Sequence, residues 1–229
     1  MSIFAALHVY HDLDSRSAAL NMAIDEALLE TASAPTIRFY RWDHPALSFG
    51  YFGRLSDVEK EKRDIVRRWT GGGIVLHGDD LTYSIVIPAS DAAFGESSMS
   101  IYEQVHRAIQ ITLGSQAKLA TVAAVSDRRD QNQSAIGDRR YNECFANPVK
   151  ADVMIDGTKI AGAAQRRTRR GLLQQGSIQN IDLAPDFEKS LAGHLSQNCI
   201  ERTIEQAHVE RAQQIATEKY AAAAWLRRR

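Results

Sequence analysis

Apolar positions near the start of the chain recur three and four apart. Leu20, Ile24, Ala27 and Leu28 share one face of a helix that Asp14 or Ser15 would cap and that the Ala-Ser-Ala-Pro stretch ending at Pro35 would close. Two short runs rich in β-branched and aromatic residues follow, 37–42 and 47–52, and Asp43-His44-Pro45 between them predicts a pair of strands joined by a turn. The charged stretch 56–63 predicts another helix. Residues 65–69 and 73–76 bracket a glycine triplet, and 81–88 sets Thr82 and Ser84 against Tyr83, Ile85 and Ile87, as a half-buried strand does. From Ser100 the period is helical again, with Ile101, Val105, Ile109 and Leu113 on one face before Gly114.

Apolar periodicity then stops. Residues 121–147 are polar, hold Arg128-Arg129 and Arg139-Arg140, and read as a long loop, a feature that in compact domains is usually either functional or mobile. Beyond them, 152–155 and 158–161 flank Asp156-Gly157, the signature of a hairpin with a type I′ turn. A basic turn over 166–170 leads to a strand over 172–181, and 203–225 is helical in composition. A hairpin so short demands antiparallel pairing, so interleaved strands and helices predict an α+β fold with a mixed, largely antiparallel sheet flanked by helices, over a doubly wound parallel one.

Composition narrows the class. The chain has 229 residues, 44% hydrophobic and 24% charged, with 28 Lys+Arg against 28 Asp+Glu, which excludes disordered, collagenous and coiled-coil proteins. At roughly 150 residues per domain, a single domain over 1–229 is expected. Zero net charge supplies no global field for nucleic acid. There is no run of 18 apolar residues and no basic start leading into an apolar stretch, so neither membrane insertion nor secretion is expected. Cys144 and Cys199 cannot build a disulfide framework or a four-ligand zinc site; they matter only as thiols, and a reducing cytoplasmic compartment fits.

Two constellations carry candidate chemistry. In Arg68-Trp69-Thr70-Gly71-Gly72-Gly73-Ile74-Val75-Leu76-His77, three glycines cost backbone entropy that no side chain returns. They form either a bulged turn or bare backbone that admits a phosphate, a carbonyl oxygen or a thioester, and the flanking Arg68 and His77 favour a site. The second is Cys144 with Lys159 fifteen positions later. An ammonium beside a thiol stabilises the thiolate, the form that attacks acyl groups, so the two form either a dyad or a buried thiol and a solvated lysine. Cys199, in a polar stretch, is the internal control. Arg166, Arg167, Arg169 and Arg170 are either a solvated turn or a surface for an acidic protein; RNA binding is disfavoured by the absence of interleaved aromatics.

Four motifs in order then narrow the field: Arg68 to His77; Asp80-Leu81-Thr82-Tyr83-Ser84; Asp156-Gly157-Thr158-Lys159-Ile160-Ala161-Gly162-Ala163-Ala164-Gln165-Arg166-Arg167; and Leu173-Gln174-Gln175-Gly176-Ser177-Ile178. Together they resemble the lipoate-protein ligase and lipoyl (octanoyl) transferase family, whose catalytic domains are related to biotin-protein ligase and are class II aminoacyl-tRNA synthetase-like. Asn21 to Leu28 and Ser48-Phe49-Gly50-Tyr51-Phe52 resemble that family's first helix and second strand. The Gly-Arg-Gly-Arg loop of the biotin branch is absent.

The resemblance implies attachment of an octanoyl or lipoyl chain to one lysine of a carrier, such as the glycine-cleavage H protein or a 2-oxoacid dehydrogenase subunit, with the chain in an apolar tunnel. In its ligases ATP and Mg make an acyl-adenylate contacted by the lysine matching Lys159; its transferases take octanoate from acyl carrier protein on a cysteine in a Cys-Phe motif and need no cofactor. Cys144-Phe145 occupies that place. The implied roles are Cys144 as nucleophile, Lys159 as its partner, Arg68, Gly71, Gly72, Gly73, His77, Gly162 and Ala163 as the substrate site, and Arg166 and Arg167 as a docking surface for acidic carriers. Either Lys159 or His77 would assist deprotonation of the incoming lysine. A single-chain ligase carries an extra C-terminal domain, for which the stretch after residue 182 is too short; a two-component ligase and an inactive carrier-binding homologue remain as alternatives. Gln175 stands where the family commonly has histidine, and Trp69 where smaller residues are frequent.

Overall fold

The structure is a computed structural model that describes residues 2–121, 145 and 148–228. Among these, eleven strands form two sheets. The larger has eight strands in the order β11-β1-β2-β6-β10-β9-β8-β7, with β7 (Lys118–Leu119) at its far edge, and the smaller three in the order β4-β3-β5. Parallel pairing is confined to β1 (Leu7–His11) with both β2 (Thr36–Tyr40) and β11 (Cys199–Arg202), and to β3 (Ala46–Phe49) with β4 (Asp64–Arg67). The mixed, largely antiparallel α+β class expected from the hairpin is the one observed.

The centre of the large sheet is β6 (Leu81–Pro88), β10 (Gly171–Ile178) and β9 (Thr158–Arg167), in a register that sets Ser177 opposite both Thr82 and Gly162. One face packs on α2 (Ser98–Leu113) through Ile101, Val105 and Ile109 and on α3 (Phe187–Leu195) through Leu191 and Leu195. The other packs on α1 (Ala18–Thr31) through Met22, Ala27 and Leu28, with Ile215 of α4 (Gln206–Ile215), Tyr220 and Trp225 behind it. All eight residues of β6 are therefore buried, not half of them. Its polar face is tolerated because each hydroxyl is bonded: Thr82 Oγ1 to Asp80 and Trp42 Nε1, Ser84 Oγ to Asp25.

Several local expectations change. The cap of α1 is Ser17, whose Oγ accepts from Leu20 N, while Asp14 is drawn to Arg16. The strands expected as a pair over 37–42 and 47–52 lie in different sheets: β2 is taken by β1 and β6, and β3 by β4 and β5 (Ile74–His77). The expected helix over 56–63 is only a 3₁₀ turn at Leu55–Asp57. Val58 is the one buried side chain of that stretch, so it has no apolar stripe on which a helix could dock. The hairpin between β8 (Val153–Ile155) and β9 turns at Asp156 and Gly157 with φ of 46° and 76°, both positive as a type I′ turn requires. Strands β1 and β11 and helix α3 had no counterpart in the sequence pattern. The basic stretch expected as a turn over 166–170 begins inside β9.

Candidate active site

The small sheet closes over the α1 side of β6, β10 and β9 and leaves a narrow cavity. Met22, Tyr40, Trp42, Val75, Ala163 and Ala164 form its apolar wall; Ser48, Arg68, His77, Thr82, Gln175 and Ser177 supply the polar groups. Two glycines make the packing around it possible. A β-carbon on Gly176 would collide with the Tyr83 ring, and one on Gly162 with Cε and Nζ of Lys159.

One wall is a directed chain of buried hydrogen bonds. Arg68 Nη1 donates to Ser48 Oγ at 2.6 Å, Ser48 Oγ meets His77 Nε2 at 2.6 Å, and His77 Nδ1 meets Asp80 Oδ2 at 2.8 Å. A carboxylate only accepts, so Nδ1 carries the proton and Nε2 of the neutral ring accepts from the Ser48 hydroxyl. Ser177 Oγ, Thr82 Oγ1 and Gly78 N also donate to Asp80. Burial pushes the His77 pKa below its ordinary 6.5, against the opposing pull of Asp80, and Arg68 and Arg63 push the same way as burial. Burial drives Asp80 up, but its interactions with His77, Ser177 and Gly78 together outweigh this and leave it below the usual carboxylate range. The Trp42 ring stacks on His77 with centroids 4.0 Å apart.

A second network closes the cavity near α1. Gln175 Nε2 donates to Asp25 Oδ2 at 2.7 Å, and its Oε1 accepts from Thr70 Oγ1 at 2.8 Å. Asp25 also receives Arg38 Nη1, Tyr40 OH and Ser84 Oγ, and Arg38, with no exposed surface, is shared with Asp12 and Asn21. Burial raises the Tyr40 pKa well above 10, reinforced by Asp25.

Lys159, expected by default to be solvated, is 2% exposed. Its Nζ lies 2.7 Å from Asp152 Oδ2, and Tyr102 OH donates to Asp152 Oδ1 at 2.5 Å while accepting from Ala163 N. Burial, then Asp152, raises the Tyr102 pKa well above 10, so it stays a donor. Lys159 Nζ stands 5.3 Å from the centre of the Phe145 ring. Cys144 lies outside the described residues. Cys199, the control, is exposed on edge strand β11, and burial followed by Glu201 raises its thiol pKa.

The glycine triplet runs beside Arg68, whose Nη2 donates to the carbonyls of Gly71 and Gly73. Gly72 has φ of 82°, in the left-handed region, and the carbonyls of Gly71 and Gly72 occupy the space a Gly50 side chain would need. Thus Arg68, His77, Gly162 and Ala163 share one cavity, Lys159 passes over Gly162, and the triplet is tied to Arg68. Arg166 and Arg167 lie outside that lining. Arg166 sits over the rings of Tyr51 and Trp69, and Arg167 donates to the carbonyls of Phe94 and Glu96. Among the described residues no three His, Cys, Asp or Glu are grouped to hold a metal ion, and no helix is long and apolar enough to cross a membrane.

Comparison with known proteins decides the family. The model of the lipoyl protein ligase A/B catalytic domain matches residues 17–218. The chain belongs to this family. Among curated relatives, octanoyltransferase LipM of Oceanobacillus iheyensis is 35% identical over 205 residues, covering 84% of this chain and 72% of its own. The LipM of Brevibacillus brevis is 32% identical over 205 residues with the same coverage. Among solved structures, lipoate-protein ligase A bound with ATP is 20% identical with a TM-score of 0.70, covering 99% of this chain and 98% of its own. The bipartite lipoate-protein ligase of Thermoplasma acidophilum is 19% identical with a TM-score of 0.68, over 99% and 98%. Family membership was legible in the four motifs. Ser48 and Asp80 stand inside stretches that carried the resemblance yet had no role, and Asp152 and Tyr102 were not singled out at all; only their distances to His77 and Lys159 reveal them.

Proposed function

We propose that this protein transfers an octanoyl group from a thioester donor, acyl carrier protein, to one lysine of a lipoyl-domain protein through an acyl-enzyme on Cys144. The reading is supported above all by the environment of Lys159, an ammonium held inside the protein by Asp152 and facing the ring of Phe145, the residue joined to Cys144 in the chain. A fixed positive charge next to that segment favours a thiolate. The LipM relatives, named octanoyltransferases, support the same chemistry.

In this mechanism the Cys144 thiolate attacks the donor carbonyl, the carrier thiolate departs, and the apolar wall of the cavity holds the acyl chain. Backbone N–H groups of Gly71 to Gly73, whose loop Arg68 fixes by two carbonyls, stabilise the oxyanion, and Gly162 and Ala163 shape the floor. The lysine of the acceptor then takes the acyl group as an amide. Thioester exchange is close to thermoneutral, so neither ATP nor Mg is required, and a reduced thiol suits the cytoplasm. Arg166 and Arg167 contribute to docking of acidic carriers.

The test is intact-mass spectrometry after mixing with octanoyl-acyl carrier protein without ATP, beside Cys144→Ala. One hydroxylamine-labile octanoyl group on the wild type alone is expected. No adduct on the wild type would overturn the reading in favour of an ATP-dependent ligase subunit or an inactive carrier binder, which ATP, lipoate and a lipoyl domain then separate.

A further inference from the structure

The acyl-transfer reading leaves open whether Lys159 or His77 serves the acceptor amine as base, and by what route its proton leaves. An attacking lysine is an ammonium in water and must lose its protons before or during C–N bond formation. Lys159 is poorly suited to this: it is bonded to the Asp152 carboxylate and serves the mechanism as a cation. The lining of the cavity contains a better candidate. Ser48, His77 and Asp80 have the spacing and the directed hydrogen bonds of an activated serine, and Ser48 and His77 both line the cavity. The order of the bonds also sets a direction for protons, from the cavity toward Asp80. Stability alone does not call for this arrangement, since it buries a neutral imidazole between an arginine and a carboxylate.

We infer that Ser48, His77 and Asp80 form the relay that removes the proton from the acceptor lysine in the second half-reaction. The inference rests on the acyl-transfer reading. As the amine nitrogen bonds to the acyl carbon, Ser48 Oγ takes its proton and passes its own to His77 Nε2. The C–S bond breaks with its electron pair remaining on the enzyme sulfur as thiolate, and the imidazolium is held against Asp80. His77 also borders an open cleft formed with Arg63, Gly78 and Asp79, through which the proton reaches water. The acceptor meets the relay as the neutral amine, its first ammonium proton having gone to water; the donor's thiolate takes up one proton, so a full cycle releases one proton net. Ser48 and His77 act on the reacting amine; Asp80 is a positioning residue. The charged groups facing His77 are Asp80, Arg68 through Ser48, and Arg63, which donates to its carbonyl oxygen.

The experiment reads the two halves separately. Enzyme is first acylated with octanoyl-acyl carrier protein and checked by mass, then mixed with a lipoyl domain under single-turnover conditions across pH. For the wild type, log rate against pH is expected to steepen by one unit below the relay's own pKa, which lies under 6.5. His77→Gln and Ser48→Ala should slow transfer by about 100-fold and lose that extra unit of slope, while Ser48→Thr, which keeps the hydroxyl, recovers most of the rate. Asp80→Asn should shift the break to lower pH, because the imidazolium loses its carboxylate. An unchanged slope in His77→Gln or Ser48→Ala, or a rate within twofold of wild type, overturns the relay. If neither variant folds or accepts an acyl group, the wild-type profile decides, since a profile without a break overturns it too. Absence of an acyl-enzyme in the wild type, seen before any amine is added, overturns the acyl-transfer reading and the relay together.

Discussion

His106 shows what one buried polar atom does to the molecule. Its Nδ1 donates to the Ala151 carbonyl at 2.7 Å, its ring lies 4.1 Å from that of Tyr102, and its Nε2 is buried with no hydrogen-bond partner among the described residues. Burial lowers its pKa from 6.5 to about 4, although Asp152 pulls the other way. The folded state thus resists a proton that the unfolded chain accepts. Its contribution to stability is complete above pH 6.5 and is lost as pH falls from there toward about 4, with a slope of up to about 1.4 kcal/mol per pH unit. Replacing it with phenylalanine removes one hydrogen bond at every pH but also that slope. Urea unfolding of wild type and His106→Phe across this window should therefore give curves that converge toward acid, and parallel curves would show that His106 does not titrate in this way.

At the scale of elements, β9 carries the conflict between packing and chemistry. Lys159 enters the interior only because residue 162 has no side chain, so Gly162→Ala must push Cε and Nζ away from Asp152. The Lys159 charge then moves relative to the Cys144 segment, and acyl-enzyme formation should slow by at least about tenfold, while alkylation of Cys144 in a Cys199→Ser background shifts to higher pH as its thiolate loses support. Unchanged alkylation would separate Lys159 from the thiol. None of this was visible in the periodicity, which places a lysine beside a hairpin turn in water by default. The long helices α1 and α2, strand β6 and the Asp156-Gly157 turn were legible because each is specified by its own residues: an apolar face, an alternation, a dipeptide that tolerates positive φ. The partners of β2 and β3 were not, because pairing is settled by distant strands, and neither were β1 and β11, of which β11 is a short, mostly exposed edge strand. The site divides in the same way. Motifs brought out Arg68, His77 and Lys159, whereas Ser48, Asp80 and Asp152 acquire meaning only from distances that tertiary structure creates.

Across the whole molecule, the end of the chain is fastened to the small sheet through one buried arginine. Arg67, 1% exposed, donates from Nε to the Trp225 carbonyl, from Nη2 to the carbonyls of Leu226 and Arg228, and from Nη1 to those of Tyr51 and Gly53; Trp225 Nε1 returns a bond to the Arg67 carbonyl. Five carbonyls on two remote segments thus share one planar cation, which no other side chain can replace, because lysine offers three donors from a single point. The residue after Arg67 is Arg68, which holds both Ser48 and the glycine triplet, so loosening the clamp loosens the cavity wall. Arg67→Lys should cost about 2–4 kcal/mol through carbonyls left buried without donors. For a chain of this size that corresponds to a fall in Tm of roughly 5–15 °C. Trp225→Ala should lower Tm comparably by opening the contact of the chain end with Tyr51 and Tyr220, whose rings lie 5.8 and 5.9 Å from that of Trp225. Because both substitutions release the same segment, the double variant should lose clearly less than the sum of the two. Additive losses in differential scanning calorimetry would mean instead that Arg67 and Trp225 stabilise the fold independently, and that the chain end is not held as a unit.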